Sequence, residues 1–385
     1  MSSPTAHVES LRFAGITSLR DVMLELTTPT TLLIGANGSG KSNVVNALEL
    51  LSRIVAGQLQ ESVVRAGGFD RLLHVRPRSV ESPDDITLEV WGAPDPGGLK
   101  NGYRAILEAG IEDQPLVRDV LFVHNTKTYD RPYSQVVGLG SESKLAKTIE
   151  TARLEAFAGH VRPLLQGIRV YHFDDVSDSA PPRKQRPVEN NLSLHADAGN
   201  LAPYLLRLRD EHSATFRRLL TVIRNVAPFF DDFVLVPTPG GTVQLRWSQK
   251  GAGDTVFGSA QLSDGTLRFI CLATLLLSPD APRVIVLDEP ELGLHPFAIA
   301  QLAGLLRQAT AEGRQAIVAT QSPQLLDHFP IEAVAILERE DDATVISRPD
   351  IERLRGFLDE YSLSDLWQMN LLPGGRPSWQ GDPDA

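Results

Sequence analysis

The chain has 385 residues, a formal net charge of −11 and 42% hydrophobic residues, which is length and apolar content enough for more than one domain with a substantial core. The acidic balance argues against a surface coated uniformly with nucleic-acid-binding cations, while leaving room for a local basic groove. The single cysteine, Cys271, excludes an internal disulfide and a thiolate metal site; no apolar run approaches the roughly 20 residues of a membrane span and residues 1–12 carry no apolar leader core, so a cytoplasmic location is expected.

From the amino end, residues 7–13 and 22–26 read as two strands of an antiparallel sheet, and residues 31–34 as a buried strand. That strand runs directly into Gly35-Ala36-Asn37-Gly38-Ser39-Gly40-Lys41-Ser42, a complete GxxxxGKS phosphate-binding loop, followed by the helical residues 42–55. A strand, a Gly-rich turn and a helix N-terminus converge backbone N–H groups on phosphate oxygens, so a nucleoside triphosphate is the expected ligand. Lys41 is expected to reach its β- and γ-phosphates and Ser42 to ligate Mg²⁺. Phe13 is a candidate for stacking on the base, against the ordinary reading of a core residue.

Residues 86–91, 103–108 and 116–124 alternate or run apolar between Gly, Pro and Asp, and extend the antiparallel sheet. A helical pattern spans 142–160, with Leu145, Ile149, Ala152, Leu154 and Phe157 on one face and no sustained heptads. A returning strand is expected at 168–173, then a Pro- and charge-rich loop at 177–187 that marks a plausible boundary. Amphipathic helices follow at 200–209 and 214–226, and a hairpin of 233–237 with 243–247 around Pro239-Gly240-Gly241. Basic clusters at Arg183-Lys184-Gln185-Arg186, Arg207 with Arg209, and Arg217-Arg218 lack interleaved aromatics and individually read as solvated surface. Their concentration in one segment makes it the preferred place for a nucleic-acid or partner contact.

Leu262-Ser263-Asp264-Gly265-Thr266 opens an apolar helix and, taken alone, is an ordinary N-cap. The aliphatic run 284–287 ends in Asp288 and Glu289, a Walker B strand with an adjacent carboxylate. Asp288 is expected to hold the Mg²⁺ shell and Glu289 to orient or deprotonate the attacking water. A helix at 297–310, a core strand at 315–319 and a closing pair at 334–337 and 344–347 complete the sheet. In the tail, residues 361–367 form a short amphipathic helix that caps the core or meets a partner, and the polar residues 378–385 are expected to be disordered.

The order phosphate loop, long insertion, LSxG and Walker B resembles the ATP-binding-cassette ATPases. The stretch Asp288-Glu289-Pro290-Glu291-Leu292-Gly293-Leu294-His295-Pro296 is similar to the RecF/SMC-related group, including the OLD family and stand-alone ATPases found beside nucleases in bacterial defence loci. Ile317-Val318-Ala319-Thr320-Gln321-Ser322-Pro323 resembles that group's switch segment, with Gln321 in place of the usual histidine; Gln can hydrogen-bond a γ-phosphate oxygen but does not titrate near neutrality. The resemblance is dense over residues 11–51 and 258–338.

It implies an α/β ABC-type ATPase head with a central parallel sheet, an antiparallel β-subdomain and a helical insertion. It also implies ATP and Mg²⁺ as ligands, and a head-to-tail homodimer in which Ser263 and Gly265 act in trans at two composite sites. On this reading residues 1–140 form an N-terminal lobe, 141–230 a helical insertion, 231–349 a lobe with signature, Walker B and switch, and 350–385 a tail. The chain ends too soon after the switch strand for the Toprim nuclease domain of the OLD family, so nuclease activity is expected from a separate protein.

Three functions stay open. The favoured one is an ATP-hydrolysing switch in DNA repair or defence against foreign DNA. The second is a nucleotide-sensing scaffold that restrains an effector without turnover, which Glu289 disfavours. The third, a transporter motor subunit, lacks a convincing glutamine loop.

Overall fold

Burial along the first strands has the period of two that a half-covered sheet requires. In the hairpin of β1 (Val8–Ile16) and β2 (Leu19–Glu25), Leu11, Phe13, Val22 and Leu24 point inward. β3 (Thr30–Ile34) is instead buried at every position, as a central parallel strand must be. It feeds α1 (Lys41–Val55), which α2 (Leu59–Ala66) follows. β4 (Asp85–Gly92), β5 (Leu99–Glu108), β6 (Leu116–Asn125) and β7 (Tyr133–Gly140) then extend the hairpin into an antiparallel sheet ordered β2-β1-β4-β5-β6-β7. The structure is a computed structural model that describes residues 7–74, 85–111 and 114–372; the expectations for residues 1–6 and for the polar end from 378 lie outside the described residues.

After α3 (Ala152–Gln166) come β8 (Ile168–Tyr171), β9 (Arg186–Pro187), α4 (Leu201–Glu211) and α5 (Ser213–Val226). β10 (Phe230–Phe233), β11 (Thr242–Val243), β12 (Arg246–Gln249) and β13 (Val256–Gly258) lead to α6 (Asp264–Leu277). The remainder is β14 (Val284–Asp288), α7 (Pro296–Ala311), β15 (Gln315–Ala319), α8 (Pro323–Leu326), β16 (Val334–Glu340), β17 (Ala343–Ser347), α9 (Ile351–Leu358) and α10 (Leu363–Gln368). The second large sheet runs β17-β16-β3-β15-β14-β8, parallel from β16 to β8 with β17 antiparallel at its edge.

Alternate residues of this sheet serve two cores. Leu33, Val286, Ile317 and Ala335 face one that contains Val44 and Leu48 of α1 and Phe13, Leu88 and Leu107 of the antiparallel sheet. Leu32, Leu287, Val318 and Ile336 face the other, built with Ile270 and Leu272 of α6 and Leu302 and Leu306 of α7. The parallel strands β3, β14 and β15 therefore end side by side, the edge at which α/β sheets bind ligands. Phe13 is fully buried in the first core, which removes it as a base-stacking residue.

Elsewhere the tertiary structure overrides local pattern. The helix expected over 142–160 starts only at Ala152. The buried Asp119 accepts hydrogen bonds from the Ser143 hydroxyl and the Lys144 N–H, both at 2.7 Å, and holds that segment in a 3₁₀ turn against the sheet. The expected hairpin forms differently: Phe233 pairs with Trp247, whereas Val243 pairs with Arg186. Residues 177–187, expected as a boundary loop, include the buried Pro182 and Arg183. Among the described residues no helix is long and apolar enough to cross a membrane.

Candidate nucleotide site

β3 ends in the phosphate loop because two glycines permit approaches that no side chain would. A Cβ on Gly40, at φ 105°, would lie 2.0 Å from Thr344 Oγ1, and one on Gly35 would lie 2.3 Å from the Leu337 carbonyl oxygen. Gly40 caps α1 in the left-handed conformation without a side-chain hydrogen bond, leaving the first-turn N–H groups to serve an anion.

The Lys41 ammonium donates to the carbonyls of Gly35 at 2.7 Å and Ala36 at 3.2 Å. Burial lowers its pKa, and the carboxylates of Glu289, Asp288 and Glu291 oppose that shift. Lys41 is thus the cation at the centre of three acids contributed by the end of β14.

Asp288 closes β14. Burial pushes its carboxyl pKa up, the Ser42 hydroxyl bonded to it pulls the other way, and Oδ1 is buried without a hydrogen-bond partner. An orphaned carboxylate oxygen beside a solvent-facing serine hydroxyl is the hard-oxygen pair that suits Mg²⁺ with its remaining waters, so the residues fit the ion.

Glu289 adopts φ 42°, rare for a residue with a side chain, and its N–H donates to the Ala319 carbonyl at 2.8 Å. The Gln321 side-chain amide, just past β15, donates to the Glu289 carboxylate. Strand pairing between β14 and β15 thereby joins two residues that lie far apart in sequence.

Ser263 caps α6, accepting from the Thr266 N–H at 3.3 Å. A Cβ on Gly265 would lie 2.5 Å from the Gly293 carbonyl oxygen, so the signature glycine packs against the turn after Walker B. Among the described residues no hydrogen bond joins Ser263 or Gly265 to residues 35–42. The structure thus assembles Lys41, Ser42, Asp288, Glu289 and Gln321 within one chain and leaves the signature pair outside that cluster.

Several contributors carried no sequence signal. Asn43 Nδ2 donates to Ser18 Oγ at 2.7 Å, Ser18 Oγ lies 2.6 Å from Thr344 Oγ1, and Thr344 Oγ1 donates to the Ser39 carbonyl at 2.9 Å. This chain ties the phosphate loop to the β1–β2 turn and to β17. Arg268 of α6 donates to the carbonyls of Phe173 at 2.8 Å, Asp174 at 2.9 Å and Leu292.

The basic clusters of the insertion are largely occupied within the molecule. Arg183 is buried and donates to the carbonyls of Val176 and Ser259 and to the Asp264 carboxylate. It is a brace beneath the signature segment and no part of an exposed cationic patch. Arg207 pairs with Glu211 and Asp280, Arg209 with Asp210, and Arg218 donates to Gln308. Cys271 is buried, and burial pushes its thiol up to about 12, consistent with packing.

The family described as "AAA domain, putative AbiEii toxin, Type IV TA system" matches residues 30–327. A "Putative ABC transporter ATP-binding protein" of Methanosarcina acetivorans is 31% identical over 98 residues, 26% of this chain and 34% of that protein. UvrABC system protein A of Staphylococcus epidermidis is 24% identical over 293 residues, 75% of this chain and 27% of that protein. The chain thus spans about a third or less of the length of these curated relatives.

In fold, the chain is similar to an Smc head bound to the C-winged helix domain of ScpA, with TM-score 0.60 and 16% identity over 90% of this chain and 99% of that one. A second Smc head, with an extended coiled coil and bound to the C-terminal domain of ScpA derived from Pyrococcus furiosus, gives TM-score 0.55 and 16% identity over 92% and 99%. The fold is therefore that of an SMC/ABC-type ATPase head, as the phosphate loop and Walker B order implied.

Proposed function

The chain belongs to this AAA domain family of ABC-type ATPases, and from that premise we propose that it is a Mg²⁺-dependent ATP hydrolase whose turnover drives a two-subunit switch. The observation that carries the reading is the convergence of Lys41, Asp288, Glu289 and Gln321 at the ends of β3, β14 and β15.

In this reading the phosphate-loop N–H groups and Lys41 bind and neutralise the triphosphate. Ser42 and Asp288 would hold Mg²⁺, which when bound supplies charge neutralisation on the phosphate oxygens. Glu289 accepts a proton from the attacking water, and Gln321 orients the Glu289 carboxylate. Ser263 and Gly265 lie outside the cluster, so they act on the nucleotide of a second copy, in a head-to-tail dimer with two composite sites. The phosphate loop belongs to the lobe 1–140 and the signature to the lobe 231–349, separated by the helical insertion 141–230 and followed by the tail 350–385.

We place the switch in DNA repair or in defence against foreign DNA, acting on DNA or through a separate effector such as a nuclease. The partial likeness to UvrABC system protein A and the family description support that choice. ATP turnover by the purified chain, with and without duplex DNA and with Lys41→Ala as blank, tests it. DNA-stimulated, Lys41-dependent turnover is expected. Tight ATP binding with no turnover would overturn the hydrolase reading in favour of a nucleotide-sensing scaffold.

A further inference from the structure

We propose that Glu291 is a positioning residue that sets the aim of the Glu289 carboxylate through Gln321, a role that rests on the ATPase reading above. Glu291 follows the Walker B strand by three residues and is only 8% exposed. Its Oε1 accepts from the Thr320 hydroxyl at 2.5 Å and from the Gln321 backbone N–H at 3.1 Å. Thr320 Oγ1 in turn accepts from the Ser322 N–H at 3.0 Å. One carboxylate oxygen therefore fixes the backbone of the segment leaving β15 at the residue whose side chain meets Glu289.

The arrangement closes into a loop of constraints. Glu289 is held at its backbone by the Ala319 carbonyl and at its carboxylate by the Gln321 amide, and Gln321 is held at its own N–H by Glu291. Without Glu291 the Gln321 N–H loses its acceptor, and the Thr320 N–H, held by the Leu33 carbonyl at 3.0 Å, anchors the backbone one residue short of the Gln321 side chain. Filling the space alone would call for an apolar side chain, since a buried carboxylate carries a desolvation cost and Glu291 Oε2 has no hydrogen-bond partner. The cost is offset by orientation of a group that acts only when correctly aimed.

The test compares Glu291→Ala and Glu291→Gln in the 385-residue chain by ATP affinity and by kcat, with Lys41→Ala as blank. Glu291→Ala is expected to lower kcat by about 10²-fold with no loss of ATP affinity, the scale of a misplaced reacting group. Glu291→Gln keeps an acceptor oxygen for Thr320 and Gln321 and is expected to restore kcat to within about threefold. Equal losses in both variants, or parallel loss of affinity and kcat, would overturn the proposal.

A crystal structure of Glu291→Ala gives a readout independent of turnover. Gln321 Nε2 is expected beyond about 3.5 Å from the Glu289 carboxylate, outside hydrogen-bond reach. An unchanged contact sinks the positioning role whatever the kinetics. If Glu291→Ala does not fold, Thr320→Val, which removes one donor to the same oxygen, is expected to shift Gln321 in the same sense, and an unmoved Gln321 overturns the proposal. Absence of Lys41-dependent turnover in the unmodified chain would count against the ATPase reading alone.

Discussion

The hydroxyls of Ser18 and Thr344 lie 2.6 Å apart across 326 positions of sequence, and through them the first hairpin grips the phosphate loop. Asn43 donates into this pair and the Ser39 carbonyl accepts from it, so every hydroxyl both gives and receives one hydrogen bond. Thr344→Val keeps the shape and removes both hydrogen bonds. A loss of about 1–3 kcal/mol is expected from the buried acceptor left unpaired. Urea unfolding measures it, and the same variant should bind ATP more weakly because the Ser39 turn is no longer held.

Lys41 and Glu289 should separate binding from chemistry. Lys41→Ala is expected to abolish ATP binding or turnover. Glu289→Gln should bind ATP, accumulate as a closed dimer and lose about 10²- to 10⁴-fold in rate, the range for a general base. Light scattering with ATP, alongside phosphate release, reads both, and turnover of Glu289→Gln at the unmutated rate would remove Glu289 from its role.

The signature segment should affect closure and leave the first encounter with nucleotide intact. Ser263→Arg is expected to leave ATP affinity of the monomer unchanged and to prevent dimerisation. Gly265→Ala places a methyl group 2.5 Å from the Gly293 carbonyl, so it should shift the turn after Walker B as well. Analytical ultracentrifugation of the Glu289→Gln background, with each change added, distinguishes them.

Arg183 and Lys184 are neighbours with opposite fates. Arg183→Ala leaves the carbonyls of Val176 and Ser259 without their buried donor and should destabilise the fold by about 3 kcal/mol. Lys184 is exposed, and Lys184→Ala should change stability by less than about 0.5 kcal/mol. Equal melting temperatures of the two variants would contradict the brace.

The Glu49–His172 pair, 3.1 Å apart, should give a pH-dependent stability. The hydrogen bond from His172 leads the causes that hold Glu49 down at about 2 against an ordinary 4.5, so its contribution is present above 4.5 and disappears as pH falls toward 2. The same bond raises His172 above its ordinary 6.5, so that contribution is full below 6.5 and is lost as pH rises through the raised value. Both are present between 4.5 and 6.5. His172→Gln should therefore cost more stability at about pH 5.5 than at about pH 8.5, with the difference trimmed by solvent because the pair is partly exposed. Unfolding curves at the two pH values check the sign.

Much of the site was legible locally. The phosphate loop, the Walker B strand and the strands of both sheets depend on residue types at short spacing, with burial largely alternating along the antiparallel β1 and near-continuous along the parallel β3 and β14. Less legible were α2 and β7, and the start of α3, displaced because Asp119 captures Ser143 and Lys144.

By itself the sequence determined a triphosphate-binding loop, since strand, glycine-rich turn and helix must follow one another for backbone N–H groups to gather around phosphate, and the order of its motifs carried the resemblance that implied an ABC-type head. Only the tertiary structure decided which distant groups complete it. Gln321 meets Glu289 because β14 and β15 lie side by side; Arg183 is a buried brace because the 177–187 segment folds under the signature; Thr344 reaches Ser39 because β17 closes the sheet edge. Each of these is a polar contact across tens or hundreds of residues, set by where the strands pack, and no local period or motif encodes it.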